Sequence, residues 1–293
     1  MQLTEKEGEK LLERKELLAL FSLLDDPDPF VQEKLREQMD RFNENHVPVL
    51  DELLNEATDP GLRSRVSGLI HEITFPSLEQ EFAELVENGI HSMKDLERGQ
   101  LLLGRFDNPT LRTDLYRRQL DKMAMRLEPA IRTELSPDEQ LKSFVSFFFE
   151  REYFKGAAED YINPDNSFLH KVLHRRRGIP ISISMVLLFV AHRVGFPMYG
   201  VNMPMHFLIK YESGNESTLL DPFNGGNIIS MDDCYSFLRL HGITPDASHF
   251  ERASEMDILA RTIRNLVFSY EKRDDLKRAG EMKSLLSYVV QAG

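Results

Sequence analysis

The chain has 293 residues, of which 41% are hydrophobic and 29% are charged, as in globular proteins. A formal net charge of −12 and a pI near 5.3 argue against nucleic acid or an anionic membrane as partner, because phosphate binding needs a basic surface. A single cysteine excludes a disulfide framework. The first residues lack the apolar core of a signal peptide, and the longest apolar run, 179–191, is too short to span a bilayer. We expect a cytoplasmic protein with more than one domain.

The first part of the chain is predicted to be helical. One helix-opening pattern, an acidic or amide N-cap followed by proline, begins at Asp28, Asp59 and Asn108. The spacing between these segments is uneven, so a HEAT-like repeat and a non-repetitive helical bundle both fit. Residues 1–134 are assigned to this helical domain, in which we identify no chemistry.

A second domain is predicted to begin at residue 135, where Ser136, Pro137 and Glu139 have the spacing of a helix-capping box. Several aromatic residues follow at helical spacing, which is more typical of a core than of a ligand pocket. They are Phe144, Phe147, Phe148, Phe149, Tyr153 and Phe154.

A helix is predicted over residues 167–177, ending at Gly178 with a positive φ or in a tightly packed position. His170 and His174 lie four residues apart on this helix, but no motif places a third metal ligand. A solvated helix face is therefore favoured over a metal site.

Three arginines, Arg175, Arg176 and Arg177, occupy the last turn of that helix. Cations at this position offset the negative end of the helix dipole, which is a sufficient structural reason for them. The functional alternative is that they bind a carboxylate or phosphate through bidentate hydrogen bonds.

The next segment has the residue types of a cysteine-dependent acyl-transfer site in the required order. An apolar helix from about 180 to 195 precedes His206 on one predicted strand and Asp221 on the next. If the strands pair about a turn at 213–216, residues of constant index sum face each other, and His206 lies beside Asp221. An ordinary cross-strand pair at a sheet end is the alternative. Papain- and transglutaminase-like sites place a thiol at the helix start, but the only cysteine, Cys234, follows the aspartate.

Four motifs occur in this region: Gly178-Ile179-Pro180-Ile181-Ser182-Ile183-Ser184, Gly195-Phe196-Pro197, Pro204-Met205-His206-Phe207-Leu208 and Leu220-Asp221-Pro222-Phe223-Asn224-Gly225-Gly226. Their sequence and order resemble the SirB1 family over about residues 135–245. The resemblance implies a transglutaminase-like core domain, assigned to 135–250, and a tetratricopeptide-like helix pair over 251–293. We expect an α+β, mostly α fold with a helical N-terminal domain, a small antiparallel sheet in the core and a helical tail.

The resemblance also shows where the chain departs from active transglutaminase-like relatives. Their pattern is Gly-x-Cys at the helix start, and here Gly178 stands for the glycine and Pro180 for the cysteine. Ser182 is the nearest hydroxyl and would have to shift by two residues to replace the thiol. A serine also needs a base within hydrogen-bond distance, which His206 oriented by Asp221 would supply.

Three functions fit these features. The first is a non-catalytic or regulatory protein whose cleft binds a peptide, a protein or a small anionic ligand, with Arg175, Arg176, Arg177, Gly178, Pro180 and Asn224 as the candidate binding residues. The second is a hydrolase or acyl-transfer enzyme that uses Ser182 with His206 and Asp221. The third is a structural helical scaffold. We expect a protein or peptide partner, no cofactor, no metal, no nucleic acid and no membrane.

Overall fold

A computed structural model describes residues 16–21, 23, 27–131, 135–214 and 216–292. The N-terminal residues behind the signal-peptide expectation, and Glu134 at the predicted domain boundary, lie outside them. The fold is α+β and mostly helical, as predicted. The chain divides into two compact units, one of residues 1–80 with 108–111 and one of residues 81–107 with 112–293. This division differs from the predicted boundaries after 134 and 250, and the three-segment organisation stays a prediction.

The first unit contains α1 (Pro29–Met39), α2 (Val47–Glu56) and most of α3 (Pro60–Glu87). Two predicted helix openings are confirmed. An Asp28 carboxylate oxygen accepts the Phe30 N–H at 2.9 Å, and an Asp59 oxygen accepts the Leu62 N–H at 2.6 Å. The core of this unit consists of Leu17, Phe21, Val49, Leu50, Leu53, Val66, Leu69 and Ile70.

The second unit begins with α4 (Met93–Asp107), α5 (Thr113–Leu127) and α6 (Pro137–Ser146). The third predicted opening, at Asn108, is wrong in position, because α5 begins at Thr113. The capping box of α6 is confirmed: the Ser136 N–H donates to Glu139 Oε2 at 2.9 Å, and the Ser136 Oγ accepts the Glu139 N–H.

The aromatic residues after α6 are mainly core residues, as predicted. The helix continues as a π-helical turn over Phe147–Arg151. Most of the aromatic side chains are buried, and Phe144 and Phe196 stack with ring centroids 4.9 Å apart. Tyr153 is the exception, since it is exposed and has a positive φ of 59°.

The strand β1 (Lys155–Gly156) precedes the next helix, α7 (Leu169–Arg175). The strand β2 (Arg177–Gly178) pairs with β1 in parallel and separates α7 from the following helix, α8 (Pro180–Arg193). The predicted helix over 167–177 is therefore too long at both ends. The positive φ that ends α7 belongs to Arg176, at 56°, and not to Gly178. Nearly all of α8 is buried, in agreement with its continuous apolar sequence.

The prediction of a solvated face for both histidines of α7 is wrong for one of them. His174 is exposed, but His170 is buried, with Nε2 at 3.1 Å from Asp107 Oδ2. Only His174 lies on the solvent side of α7, because the end of α4, with Asp107, covers His170. Within the described residues, no group of three His, Cys, Asp or Glu side chains is arranged to hold a metal ion.

A four-stranded antiparallel sheet follows, in the order β3 (Met198–Val201), β4 (Leu208–Ser213), β5 (Glu216–Asp221) and β6 (Asn227–Ile229). The helix α9 (Met231–Leu240) packs on it. Their shared core consists of Val201, Met203, Leu208, Leu219, Cys234, Leu238 and Phe250.

The unit ends with the predicted helix pair, α10 (Glu255–Lys272) and α11 (Leu276–Ala292). Ile258, Leu266 and Met282 are among the side chains this pair buries. The tetratricopeptide-like character of the pair stays a prediction. None of the described helices is long and apolar enough to cross a membrane.

Candidate functional site

The structure places His206 in the turn between β3 and β4, two residues before β4 begins. Its backbone N–H donates to the Met203 carbonyl at 3.1 Å. The preceding residue, Met205, has a φ of 64°, a left-handed conformation that is costly without glycine. The backbone is thus held in a strained turn at the point that aims the imidazole.

Asp221 is the last residue of β5, and its side chain meets His206. The distance from Nε2 to Oδ1 is 3.0 Å. This is a close polar contact rather than an aligned hydrogen bond, because Nε2 has no hydrogen-bond partner of good geometry in the described structure. Both side chains are largely buried, so the pair lies in a medium that screens charge weakly.

The pair is as predicted, but the strand register is not. In the predicted register Ile209 pairs with Thr218, whereas in the structure Ile209 pairs with Leu220. A two-residue shift leaves every side chain on its predicted sheet face. His206 reaches Asp221 from the turn before β4 and not from the strand itself.

Asp221 also organises the loop that follows it. Oδ1 accepts the backbone N–H groups of Phe223 at 3.0 Å and Asn224 at 3.3 Å, and Oδ2 accepts the Asn224 side-chain amide at 2.6 Å. Burial acts to raise the pKa of Asp221, but His206 and the Asn224 hydrogen bonds outweigh it and lower that pKa below the ordinary value. Asp221 is therefore an anion that orients both the imidazole and the Asn224 loop.

Ser182, the candidate nucleophile, is not brought to His206. It lies in the first turn of α8 and is fully buried. Its hydroxyl donates to the Asn166 carbonyl at 2.5 Å and also lies 3.1 Å from the Ile179 carbonyl. Pro180 is the first residue of α8 and is buried as well.

Cys234, the only cysteine in the sequence, lies on α9 and is 2% exposed. Burial raises the pKa of its thiol, and the carboxylates of Asp233 and Asp221 raise it further. A reactive cysteine needs the opposite environment, in which positive charge stabilises the thiolate.

The three predicted ligand-binding arginines do not converge on one site. Arg175 pairs with Asp165 at 3.4 Å. Arg176 pairs with Glu152 at 2.9 Å and lies over the Phe154 ring. Arg177, on β2, is exposed. Two of the three charges are thus already neutralised within the fold.

The remaining predicted binding residues fall into two places. Asn224 joins the His206 and Asp221 pair through its bonds to Asp221. Gly178 lies in β2, where an added Cβ would overlap the Ser182 hydroxyl and come within 3.2 Å of Ile183. The tightly packed alternative of the Gly178 prediction is confirmed, and the positive-φ alternative is wrong.

Sequence reasoning missed Arg261 on α10. Its Nη1 donates to the Met203 carbonyl at 2.9 Å, the oxygen that also accepts the His206 N–H, and it bonds the Asn202 side chain. Its guanidinium lies over the Phe207 ring, 5.7 Å from the centroid. No motif marks this arginine, because its neighbours on α10 form an ordinary amphipathic helix pattern.

Comparison with known proteins agrees with this geometry. Residues 114–264 match the family described as the transglutaminase-like superfamily. A UPF0162 protein of Xylella fastidiosa is 31% identical over 189 residues, covering 61% of this chain and 66% of the relative. A UPF0162 protein of Vibrio cholerae is 32% identical over 148 residues, covering 50% and 54%. F-box only protein 21 of Mus musculus is 30% identical over 164 residues, covering 53% and 26%.

These matches are partial in length, since the chain spans 66% and 54% of the two UPF0162 relatives. No solved structure matches the chain. The family match covers more than half of the chain and contains α8, His206, Asp221 and Arg261. The chain belongs to the transglutaminase-like superfamily.

Proposed function

We propose that the chain is a non-catalytic, SirB1-type member of the superfamily, in which the site around His206 and Asp221 binds a protein or peptide partner. The observation that carries the proposal is the start of α8. Pro180 stands where the resemblance places the nucleophilic cysteine, and a proline side chain has no nucleophilic atom.

Neither remaining nucleophile candidate supports a reaction at this site. The Ser182 hydroxyl donates its hydrogen bond to the Asn166 carbonyl, so it is not hydrogen-bonded to His206 or to another base that could remove its proton. Cys234 is buried among apolar side chains, and the raised pKa of its thiol keeps it protonated. A histidine and an aspartate without an activated nucleophile cannot form an acyl-enzyme intermediate.

The features around the pair suit binding. Met205, next to His206, is 64% exposed, and Tyr161 and Ile162 are exposed apolar side chains on the segment beside the Asn224 loop. Tyr161 contacts the Phe223 ring edge-on at 5.9 Å. Exposed apolar side chains beside a largely buried polar pair are typical of a peptide-contacting surface.

We also propose a cytoplasmic location and a reduced environment for the chain. The support is an acidic composition and a single, free and buried cysteine.

Activity-based labelling of the purified chain tests the proposal. A fluorophosphonate probe should not label Ser182, because the hydroxyl is inaccessible, and iodoacetamide should modify Cys234 only after denaturation. Ester and amide substrates should show no hydrolysis above the uncatalysed rate. The matched variants are Ser182→Ala and His206→Ala. Fluorophosphonate labelling that disappears in both variants would establish the alternative, a hydrolase or acyl-transfer enzyme that uses Ser182 with His206 and Asp221.

A further inference from the structure

Arg261 is a largely buried cation without a carboxylate counter-ion among the residues that the structure describes. Its described polar partners are the Asn202 side-chain oxygen and the Met203 carbonyl, both bound through Nη1. These are neutral acceptors, so the positive charge remains uncompensated. Buried charges in proteins are normally paired, and an unpaired one indicates a missing anion.

The free part of the guanidinium is accessible. Nε and Nη2 have no described partner, yet neither is among the buried polar atoms that lack one. They are therefore not fully buried, while Nη1 anchors the group. The Nε and Nη2 edge of an arginine presents two parallel N–H donors, which match the two oxygens of a carboxylate.

The surroundings of Arg261 place this edge within the proposed binding surface. Tyr161 lies within electrostatic range of Arg261, and its ring contacts Phe223. Phe223 follows Asp221 by two residues and donates its N–H to it. On the other side, Arg261 and His206 share the Met203 carbonyl as acceptor. The His206 turn and Arg261 are thus directly joined, and Tyr161 lies within electrostatic range of the cation.

The electrostatics around Arg261 favour the binding of an anion. Burial lowers the pKa of Arg261, the Tyr161 hydroxyl acts in the opposite sense, and nearby Arg264 lowers it further. An anion bound at the guanidinium would relieve both the burial cost and the repulsion from Arg264.

We propose that Arg261, with Tyr161 nearby, binds a glutamate or aspartate carboxylate of an extended segment of a partner protein. A carboxylate fits better than a phosphate because one guanidinium matches one negative charge. The exposed apolar side chains of Tyr161, Ile162 and Met205 supply contacts for the residues that flank the acidic one. The inference rests on the proposed function, since it specifies which partner chemistry the His206 site receives.

The test uses the full chain labelled with ¹⁵N-arginine, and follows the Nε–H resonance of Arg261, assigned by its loss in Arg261→Met. The probes are acetyl-Leu-Glu-Leu-amide, its glutamine counterpart and inorganic phosphate, at low ionic strength to limit screening. We expect the glutamate peptide to shift the resonance in a saturable way and to bind at least about tenfold more tightly than the glutamine peptide.

Variants separate the anion site from general charge and from folding. Arg273→Gln removes an exposed arginine just after the same helix and should leave binding unchanged. Arg261→Lys keeps the charge but lacks the two-donor edge, and should bind about tenfold more weakly. Tyr161→Phe leaves the hydrogen bond from Arg261 to the Met203 carbonyl intact and should weaken binding severalfold. This variant tests the site even if the arginine variants fail to fold.

Three outcomes would overturn the inference: equal binding of the glutamine peptide, tighter binding of phosphate than of the glutamate peptide, or no saturable shift at high millimolar concentration. The labelling experiment separates this failure from failure of the proposed function. If the fluorophosphonate labels Ser182 and the glutamate peptide also binds, the bound carboxylate belongs to a substrate. If Ser182 is not labelled and the glutamate peptide does not bind, the non-catalytic role stands but Arg261 is not its binding residue.

Discussion

At the scale of single residues, Asp221 makes more contacts in the site than the sequence spacing predicts, because it bonds the Asn224 loop as well as meeting His206. Index symmetry about a turn predicted its contact with His206, and the contact is present in a different register. The register follows from the turn between Ser213 and Glu216, where Gly214 has a φ of 60°, whereas His206 lies before β4, next to Met205 with its φ of 64°. Left-handed turns are usually marked by glycine or asparagine, so a methionine there gives no signal in the sequence.

The double use of Asp221 leads to a stability prediction. Asp221→Ala removes the cap of the Asn224 loop and the partner of His206 together. We expect the free energy of unfolding to fall by about 1–3 kcal/mol, the range for a lost cap combined with a charged hydrogen bond. Chemical denaturation at neutral pH measures this difference, and Asp232→Ala on the exposed start of α9 is the control.

The same carboxylate should give a pH signature. Because the pKa of Asp221 is lowered in the folded state, its contribution is complete above the ordinary value of 3.8 and is lost as pH falls through the lowered value. The difference in unfolding free energy between Asp221→Ala and its parent should therefore shrink below about pH 4. Chemical denaturation of both proteins across this pH range measures the difference. A difference that grows as the solution is acidified would contradict the lowered pKa.

At the scale of elements, the junction from α7 through β2 into α8 shows what sequence patterns detect. Proline at the start of α8 and a helix stop near Gly178 were predicted, and both elements lie close to those positions. The left-handed residue is Arg176, which the pattern of glycine-ended helices does not anticipate. Its conformation is supported by the Glu152 ion pair and by the Phe154 ring, which are contacts from another segment.

Gly178 and Ser182 should be energetically coupled. An alanine at 178 would overlap the Ser182 hydroxyl, so Gly178→Ala should cost about 2 kcal/mol through overpacking. Ser182→Ala alone should cost about 1 kcal/mol, the value of a typical buried hydrogen bond. The double variant should be less unstable than the sum of the two, by about 1 kcal/mol, because the overlapping oxygen is gone.

A matched control for this cycle is Gly280→Ala on α11, where an added Cβ has open space and helix propensity favours alanine. That variant should be neutral or stabilising. Strict additivity of the Gly178 and Ser182 variants in thermal and chemical denaturation would show that the hydroxyl does not enforce glycine at 178.

At the scale of the whole molecule, the α+β class and most helix positions followed from periodicity and capping, but the extent of the site-bearing unit did not. Three side-chain contacts tie α4 to later elements: Glu97 to Arg193 at 2.7 Å, Gln100 to Thr262 at 3.1 Å, and Asp107 to His170 at 3.1 Å. Each joins residues far apart in sequence, so no local pattern predicts them. The capping box at Ser136 is confirmed as a helix start, and the domain boundary placed beside it stays a prediction.

The last prediction compares two fragments, residues 81–293 and residues 135–293. The shorter one lacks α4 and α5, whose fully buried side chains include Leu96, Leu101, Phe106, Leu120 and Met123. At about 1.5–3 kcal/mol for each buried side chain, their loss matches or exceeds the 5–15 kcal/mol stability of a typical domain. We expect fragment 81–293 to unfold cooperatively and fragment 135–293 to show no cooperative transition by circular dichroism and calorimetry. A cooperative transition in the shorter fragment, with a midpoint close to that of the longer one, would instead support an independent domain beginning at residue 135.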